Sequence, residues 1–308
     1  MAVFWSILWN TLLPLTVMIA LGVTLQRFFS LDIKTLSKLN FYLFSPAIIF
    51  RLLYTTEIPM AVIGQTLLFF VIFMLLQYAA AEALVRLRRA QPGRRSAMRN
   101  SVLFYNSANY ALPLNQLVFA ANPFTMSVQV IVMMMQSLLP NTYGIYSVNA
   151  HKSSLGPLLR RIASQPVVYA IPAGFLLHGF GISLPQFVET PVNYLADAFI
   201  GTALITLGVQ LGSMKWTLRG PMMTDVFLTA GLRLIGGPLL AALVVWIIGF
   251  EGLLAKALIV SSAVPTSLSS VLLAVEFDNE PEFASQAVFL STLISIVTVT
   301  VVIYMLHI

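Results

Sequence analysis

Apolar stretches of about 20 residues, the length that carries a helix across a bilayer, recur along almost the whole chain. Their approximate limits are Ser6–Gln26, Thr35–Thr55, Ala61–Leu84, Asn100–Ala120, Thr125–Ser147, Ile162–Phe180, Val188–Leu211, Pro221–Phe250, Leu253–Phe277 and Phe283–His307. Hydrocarbon offers no hydrogen-bond partners, so each stretch must satisfy its own backbone, which a helix does. The third, fifth, eighth and tenth are clear, whereas the fourth and ninth carry polar residues and a proline in mid-span. Charged residues fill 9% of the 308 positions, against roughly 25% in soluble domains. So few charges cannot cover a water-facing surface, and most of the exterior must meet lipid. The expected fold is an all-α membrane protein of ten transmembrane helices.

Missing residue types exclude several chemistries. There is no cysteine, which removes disulfides, thiolate nucleophiles and Cys-ligated metals. His151, His178 and His307 are too scattered for a zinc motif. No nucleophile–base pair and no Gly-x-Ser-x-Gly is present, so an enzyme is not expected, and neither is a metal or other cofactor. The segment Met1–Asn10 lacks the basic residues that precede a cleaved signal. The first apolar stretch is therefore read as a retained span.

The charges mark the two sides of the membrane. Arg27, Lys34 and Lys38 lie at the first connection, and Arg86, Arg88, Arg89, Arg94, Arg95 and Arg99 fill the third. Lys152, Arg160 and Arg161 follow in the fifth, and Lys215 and Arg219 in the seventh. Fourteen of the 17 basic residues thus share one side, which the positive-inside rule makes cytoplasmic. Ten spans with basic odd-numbered connections put both termini on the non-cytoplasmic side of the cell membrane. Asp278, Glu280 and Glu282 make the ninth connection acidic, but acidic residues count little in this rule. The arginine run is read as topology, and no nucleic-acid partner is expected.

The chain divides near His151–Pro157 into halves of five spans, residues 1–150 and 157–308. An odd number forces the second half to enter from the opposite face, the inverted-repeat plan of many secondary transporters. A shift of 152 residues takes Pro14, Gly22 and Pro113 onto Pro166, Gly174 and Pro265.

The fourth and ninth spans are expected to be broken helices that cross near the bilayer mid-plane. Pro113 sits among Asn106, Ser107, Asn109 and Asn115, and Pro265 among Thr266, Ser267, Ser269 and Ser270. Proline removes a backbone donor and clashes with the preceding turn. Unwound backbone survives at membrane depth only inside protein or beside a watery cavity. There, half-helix N-termini offer amides and the positive end of a dipole, which suits a carboxylate. Asn106, Ser107, Asn109, Pro113, Pro265, Thr266, Ser267, Ser269 and Ser270 are the candidate contacts, with Gln136 and Asn141 of the fifth span. Gln129 shares that span, and all three also suit interhelical hydrogen bonding. Arg51, Asp197, Arg233 and Glu276 fall within spans, where charges default to functional hypotheses. Arg51 can snorkel, and Glu276 sits at the end of its span. Asp197 and Arg233 lie deeper; they could form a structural bridge with each other, or Asp197 could carry a coupling proton.

With these residues the chain resembles the auxin efflux carrier family, a ten-span group of bacteria and plants that includes the plant PIN exporters. Asn106 precedes Pro113 by the seven residues of the family's fourth-span motif. The ninth-span pattern reads Pro265 to Ala274, then Glu276, Phe277, Pro281 and Ala284–Thr292, and Leu36–Phe50 and Leu204–Leu211 resemble the second and seventh spans. The resemblance implies a scaffold of spans 1, 2, 6 and 7 and a moving domain of spans 3–5 and 8–10. It also implies an elevator-type cycle, a homodimer joined through the scaffolds, and a small carboxylate or auxin-like anion as substrate. Three departures stand out: the long hydrophilic central loop of many plant members is absent, Pro140-Asn141 interrupts the fifth span, and no proline lies near Gly201–Thr202.

The leading expectation is a secondary carrier of organic anions, coupled to sodium, to protons or to neither. The alternative is a sodium-coupled symporter of the bile-acid-carrier type, which shares the crossed-helix plan and holds sodium among oxygens at the crossing. Ser267, Ser269, Asn106 and Asn109 could serve, but no carboxylate accompanies them. A channel is a further possibility, because broken helices also line pores.

Overall fold

The computed structural model describes residues 2–148, 163–214 and 222–308. In chain order, α1 (Val3–Phe29), α2 (Ile33–Thr55) and α3 (Met60–Leu87) are long apolar helices. A broken segment follows, α4 (Pro92–Leu103) and α5 (Ala111–Val118). Next come α6 (Pro123–Val148), α7 (Val167–Gly179), α8 (Gln186–Ser213) and α9 (Met223–Ile248). The second broken segment, α10 (Gly252–Ser262) and α11 (Ser269–Glu276), leads into α12 (Pro281–Met305). Among the described residues, seven helices are long and apolar enough to cross a membrane: α1, α2, α3, α6, α8, α9 and α12. The protein is an all-α, multi-pass membrane protein. The midpoint at His151–Pro157 and the basic residues Lys152, Arg160, Arg161, Lys215 and Arg219 lie outside the described residues.

Four long helices contain one widened turn each: Leu8–Leu12, Asn40–Phe44, Pro140–Gly144 and Leu232–Gly236. Proline explains three of them. Its ring clashes with the carbonyl four residues earlier, and Pro14, Pro46 and Pro238 place that carbonyl at Asn10, Tyr42 and Leu234, inside the widened turns. An extra residue in the turn relieves the clash without breaking the helix. Pro140 opens the fourth.

Two groups of helices are each joined by extensive packing, and α1 also touches α12. Helix α1 crosses α8, and α7 and α8 both pack on α2. The α1–α8 crossing is backbone to backbone: a Cβ on Gly22 would overlap the Ile205 carbonyl oxygen, and one on Gly208 would overlap that of Ile19. Gly174 of α7 makes the corresponding approach to Phe50 and Leu53 of α2, where a Cβ would lie 3.1 Å from the Phe50 carbonyl oxygen. Small residues at such crossings let main chains approach closely in lipid. The second group gathers α3, α6, α9 and α12 around the two broken segments.

The sequence reading starts the fourth span at Asn100, but α4 begins at Pro92. Proline suits the first helical position, where its missing N–H is not needed. Arg94, Arg95 and Arg99 therefore ride on a helix rather than in a loop. Arg94 pairs with Glu280 at 2.8 Å, Arg88 with Asp225 at 2.7 Å and Arg99 with Glu82 at 2.8 Å. Asn279 also donates to the Gly93 carbonyl at 3.2 Å. The acidic ninth connection thus answers the basic third one, from the same end of the molecule.

Candidate functional site

The two breaks touch each other. The amide of Asn106 donates to the Pro265 carbonyl at 2.9 Å, and the amide of Ser267 donates to the Phe104 carbonyl at 2.7 Å. These bonds form an antiparallel bridge between Tyr105 and Thr266. Each break thereby satisfies part of the backbone that the other leaves open, as burial demands. Side chains complete the task. Gln129 donates to the Ser107 carbonyl at 2.9 Å, Gln136 to the Leu103 carbonyl at 3.1 Å and the Thr266 hydroxyl to the Ser101 carbonyl at 2.7 Å. The Thr266 amide in turn donates to Ser291 Oγ at 3.1 Å.

The first break lies upstream of its proline. Residues 104–110 are non-helical, and Pro113 falls in the first turn of α5, where a helix tolerates it. Pro265 does lie within its break, residues 263–268. Both breaks feed a short helix whose N-cap residue, Tyr110 or Leu268, gives no side-chain cap.

A cavity of about 420 Å³ lies where the two helix groups face each other. Asn106, Ser107, Asn109, Ser267, Ser269 and Gln136 line it on one side. Asn40, Thr206 and Gln210 line it on the other, with Lys38 and Glu276 also in its wall. A second cavity of about 580 Å³ shares Gln210, Leu268 and Leu272 with the first and continues to Ile33 and Glu282. In the opposite direction the groups meet through apolar side chains, among them Ile48, Ile49, Leu112, Met126, Val130 and Phe199.

Several candidates do not reach the cavity. Pro113, Pro265, Thr266 and Ser270 are buried behind the breaks. The Ser270 hydroxyl donates to the Ser267 carbonyl at 2.7 Å, as a short helix start requires. Asn141 falls in the widened turn of α6, and its side chain lies outside the described residues. Asp197 and Arg233 do not pair. Asp197 meets Arg51 at 2.6 Å on the exterior. The Arg233 side chain is fully buried on carbonyl oxygens of the two broken segments. They belong to different helix groups, which separates them.

The sequence reading does not nominate Asn40, Thr206 or Gln210. The Asn40 side chain donates to the Thr206 hydroxyl at 2.7 Å and accepts from the Thr202 hydroxyl at 2.8 Å. Gln210 donates to the Ser37 hydroxyl at 3.2 Å. The available signal is a polar amide side chain within each apolar helix, Asn40 in α2 and Gln210 near the end of α8.

Residues 151–303 match a family model described as membrane transport protein. The chain is related to membrane transporters. It is 24% identical over 296 residues to an uncharacterized transporter of Methanothermobacter thermautotrophicus, covering 94% of this chain and 95% of that one. Auxin efflux carrier component 7 of Arabidopsis thaliana is 25% identical over 151 residues, 48% of this chain and 24% of the plant protein. A probable auxin efflux carrier component 5b of Oryza sativa is 27% identical over 154 residues, 47% of this chain and 41% of that protein. The chain therefore matches less than half the length of these plant relatives. The similarity is to transporters rather than enzymes. Among the described residues, no group of three or more His, Cys, Asp or Glu could hold a metal ion.

Proposed function

We propose that this chain is a secondary transporter that moves a small organic anion, a carboxylate, across the cell membrane. The observation that carries this reading is the backbone bridge between the two breaks at the wall of a polar cavity between two helix groups. The short helix α11 starts beside that cavity at Ser269, whose amide donates to the Ser267 hydroxyl at 3.2 Å, and the break that leads into α5 lines the cavity through residues 105–109. The positive end of the α11 dipole and the hydroxyls of Ser267 and Ser269 there favour a negative charge. Asn106, Ser107, Asn109, Ser267, Ser269 and Gln136 hold the anion through neutral groups. The names of the plant relatives, auxin efflux carriers, favour a carboxylate with an apolar body.

In this reading the chain has ten crossings in two inverted five-helix repeats, residues 1–150 and 157–308. Helices α1, α2, α7 and α8 form the scaffold, and the rest form the transport domain, which carries the crossing past the scaffold in an elevator-type cycle. The scaffolds join two copies into a homodimer, and both termini lie on the non-cytoplasmic side. The continuation of the cavity toward Ile33 and Glu282, on the side of the basic connections, makes this the cytoplasm-open state.

The test uses proteoliposomes holding the purified protein and radiolabelled carboxylates that include indole-3-acetate. Saturable uptake with counterflow is expected, and Asn106→Ala should abolish it while the protein stays folded. Linear, non-saturable flux would make the protein a channel, and normal uptake by Asn106→Ala would remove that residue from the site.

A further inference from the structure

Arg233 has no role in the site as described so far, yet it is the largest fully buried side chain among the described residues. Its Nη1 donates to Gln77 Oε1 at 2.9 Å and to the Val102 carbonyl at 3.1 Å, and its Nη2 donates to the Ser262 carbonyl. Val102 lies in the last turn of α4, and Ser262 ends α10. Among the described residues no carboxylate pairs with it. The guanidinium also lies over the Tyr105 ring, 4.7 Å from its centre, and Tyr105 lines the cavity.

The protein makes room for this cation. Arg233 sits in the widened turn Leu232–Gly236 of α9, and the guanidinium folds back beside Gly237. A Cβ on Gly237 would lie 2.8 Å from Nη2 and 3.1 Å from the Ser262 carbonyl oxygen. A widened turn followed by a residue without a side chain forms a seat for one group.

A helix C-terminus carries orphan carbonyls and about half a negative charge. Two such ends meet at Arg233, so the negative partial charges sum to about one unit, the charge of one guanidinium. In transporters built on broken helices, unwound carbonyls and half-helix C-terminal ends of this kind can hold a coupling sodium ion or proton.

We propose that Arg233 does the work of a bound cation at the crossing: it neutralises the C-terminal ends of α4 and α10, holds the breaks in register, and so keeps the wall behind Tyr105 from carrying the negative potential of those ends. Anion binding then needs no metal cation at this place. The proposal deepens the anion-carrier reading and rests on it for the cavity's occupant, but its charge arithmetic concerns only the fold. Arg233 is a positioning residue, since Tyr105 and the breaks stand between it and the cavity.

The experiment measures thermal unfolding of the purified full chain in sodium chloride, choline chloride and low-millimolar guanidinium chloride at equal ionic strength. Wild-type protein is expected to unfold at the same temperature in all three. Arg233→Gln should unfold at lower temperature in choline and recover part of the loss in sodium or guanidinium, which fit the vacated seat, whereas choline is too large. Arg233→Lys should keep most of the wild-type stability and show no sodium response. Cation-specific rescue is the readout that a packing role alone would not produce. A sodium-dependent rise in wild-type protein would overturn the proposal, as would an Arg233→Gln variant that unfolds identically in all three salts. If Arg233→Gln does not fold in any salt, the wild-type and lysine measurements decide, and a sodium response in either overturns the proposal. None of these measurements uses transport, so a failure of wild-type uptake would strike the carrier reading and leave this result standing.

Discussion

The amide of Asn106 and the carbonyl of Pro265 share a hydrogen bond of 2.9 Å, and that bond joins two segments that the sequence places in opposite halves. Around it, polar side chains divide into those that hold the breaks and those that face the cavity.

Thr266 and Ser267 are neighbours on opposite sides of that division. Thr266→Val removes a buried hydroxyl from the Ser101 carbonyl and should destabilise the protein by about 1–3 kcal/mol, with little change in carboxylate affinity. Ser267→Ala, in the cavity wall, removes the acceptor of the Ser269 amide at the start of α11; it should cost about 0.5–2 kcal/mol and also weaken binding severalfold. Thermal unfolding with and without indole-3-acetate measures both effects, since a ligand raises the melting temperature by mass action.

At the α1–α8 crossing, Gly208→Leu should force the helices apart, because even a Cβ there overlaps the Ile19 carbonyl oxygen. The expected loss is at least about 1–3 kcal/mol, read as a lower midpoint in detergent. Substitution of Gly64, with nothing within 4 Å of its would-be Cβ, is the control and should cost less.

Asp197 tests proton coupling. Its side chain pairs with Arg51 at 2.6 Å and does not line the cavity. Asp197→Asn should therefore transport like wild type at acid and neutral pH. A flattened pH profile in that variant would assign Asp197 to coupling instead.

Arg94 and Glu280 allow a double-mutant cycle. Their side chains are 20% and 31% exposed, so the pair is partly shielded. A coupling energy of about 1 kcal/mol, falling as salt rises, is expected from unfolding of Arg94→Met, Glu280→Gln and the double variant.

The sequence discloses the membrane class and most spans, because apolar length and charge content are one-dimensional properties. It also discloses that the segments around Pro113 and Pro265 depart from plain helix. The place of the first break is less legible. Proline at 113 suggests an interruption there, whereas the chain uses it to start α5 and unwinds at residues 104–110. The start of α4 is hidden for a related reason: Arg94 reads as part of a loop until its partners Asp225 and Glu280 are known, and those lie in the other half of the chain. Arg233 and Asp197 look alike in a hydropathy reading. Only the third dimension separates an exposed pair to Arg51 from a buried guanidinium on helix-end carbonyls.

Main-chain bonds at Tyr105 and Thr266 rivet the two interrupted segments together, and side chains such as the Thr266 hydroxyl reinforce them from behind. A main-chain joint is indifferent to most amino-acid replacements. Residues 106–109 and 267–269 can therefore vary in what they recognise while the joint beneath them persists, and a lineage built on this chain could change its cargo without rebuilding its machine.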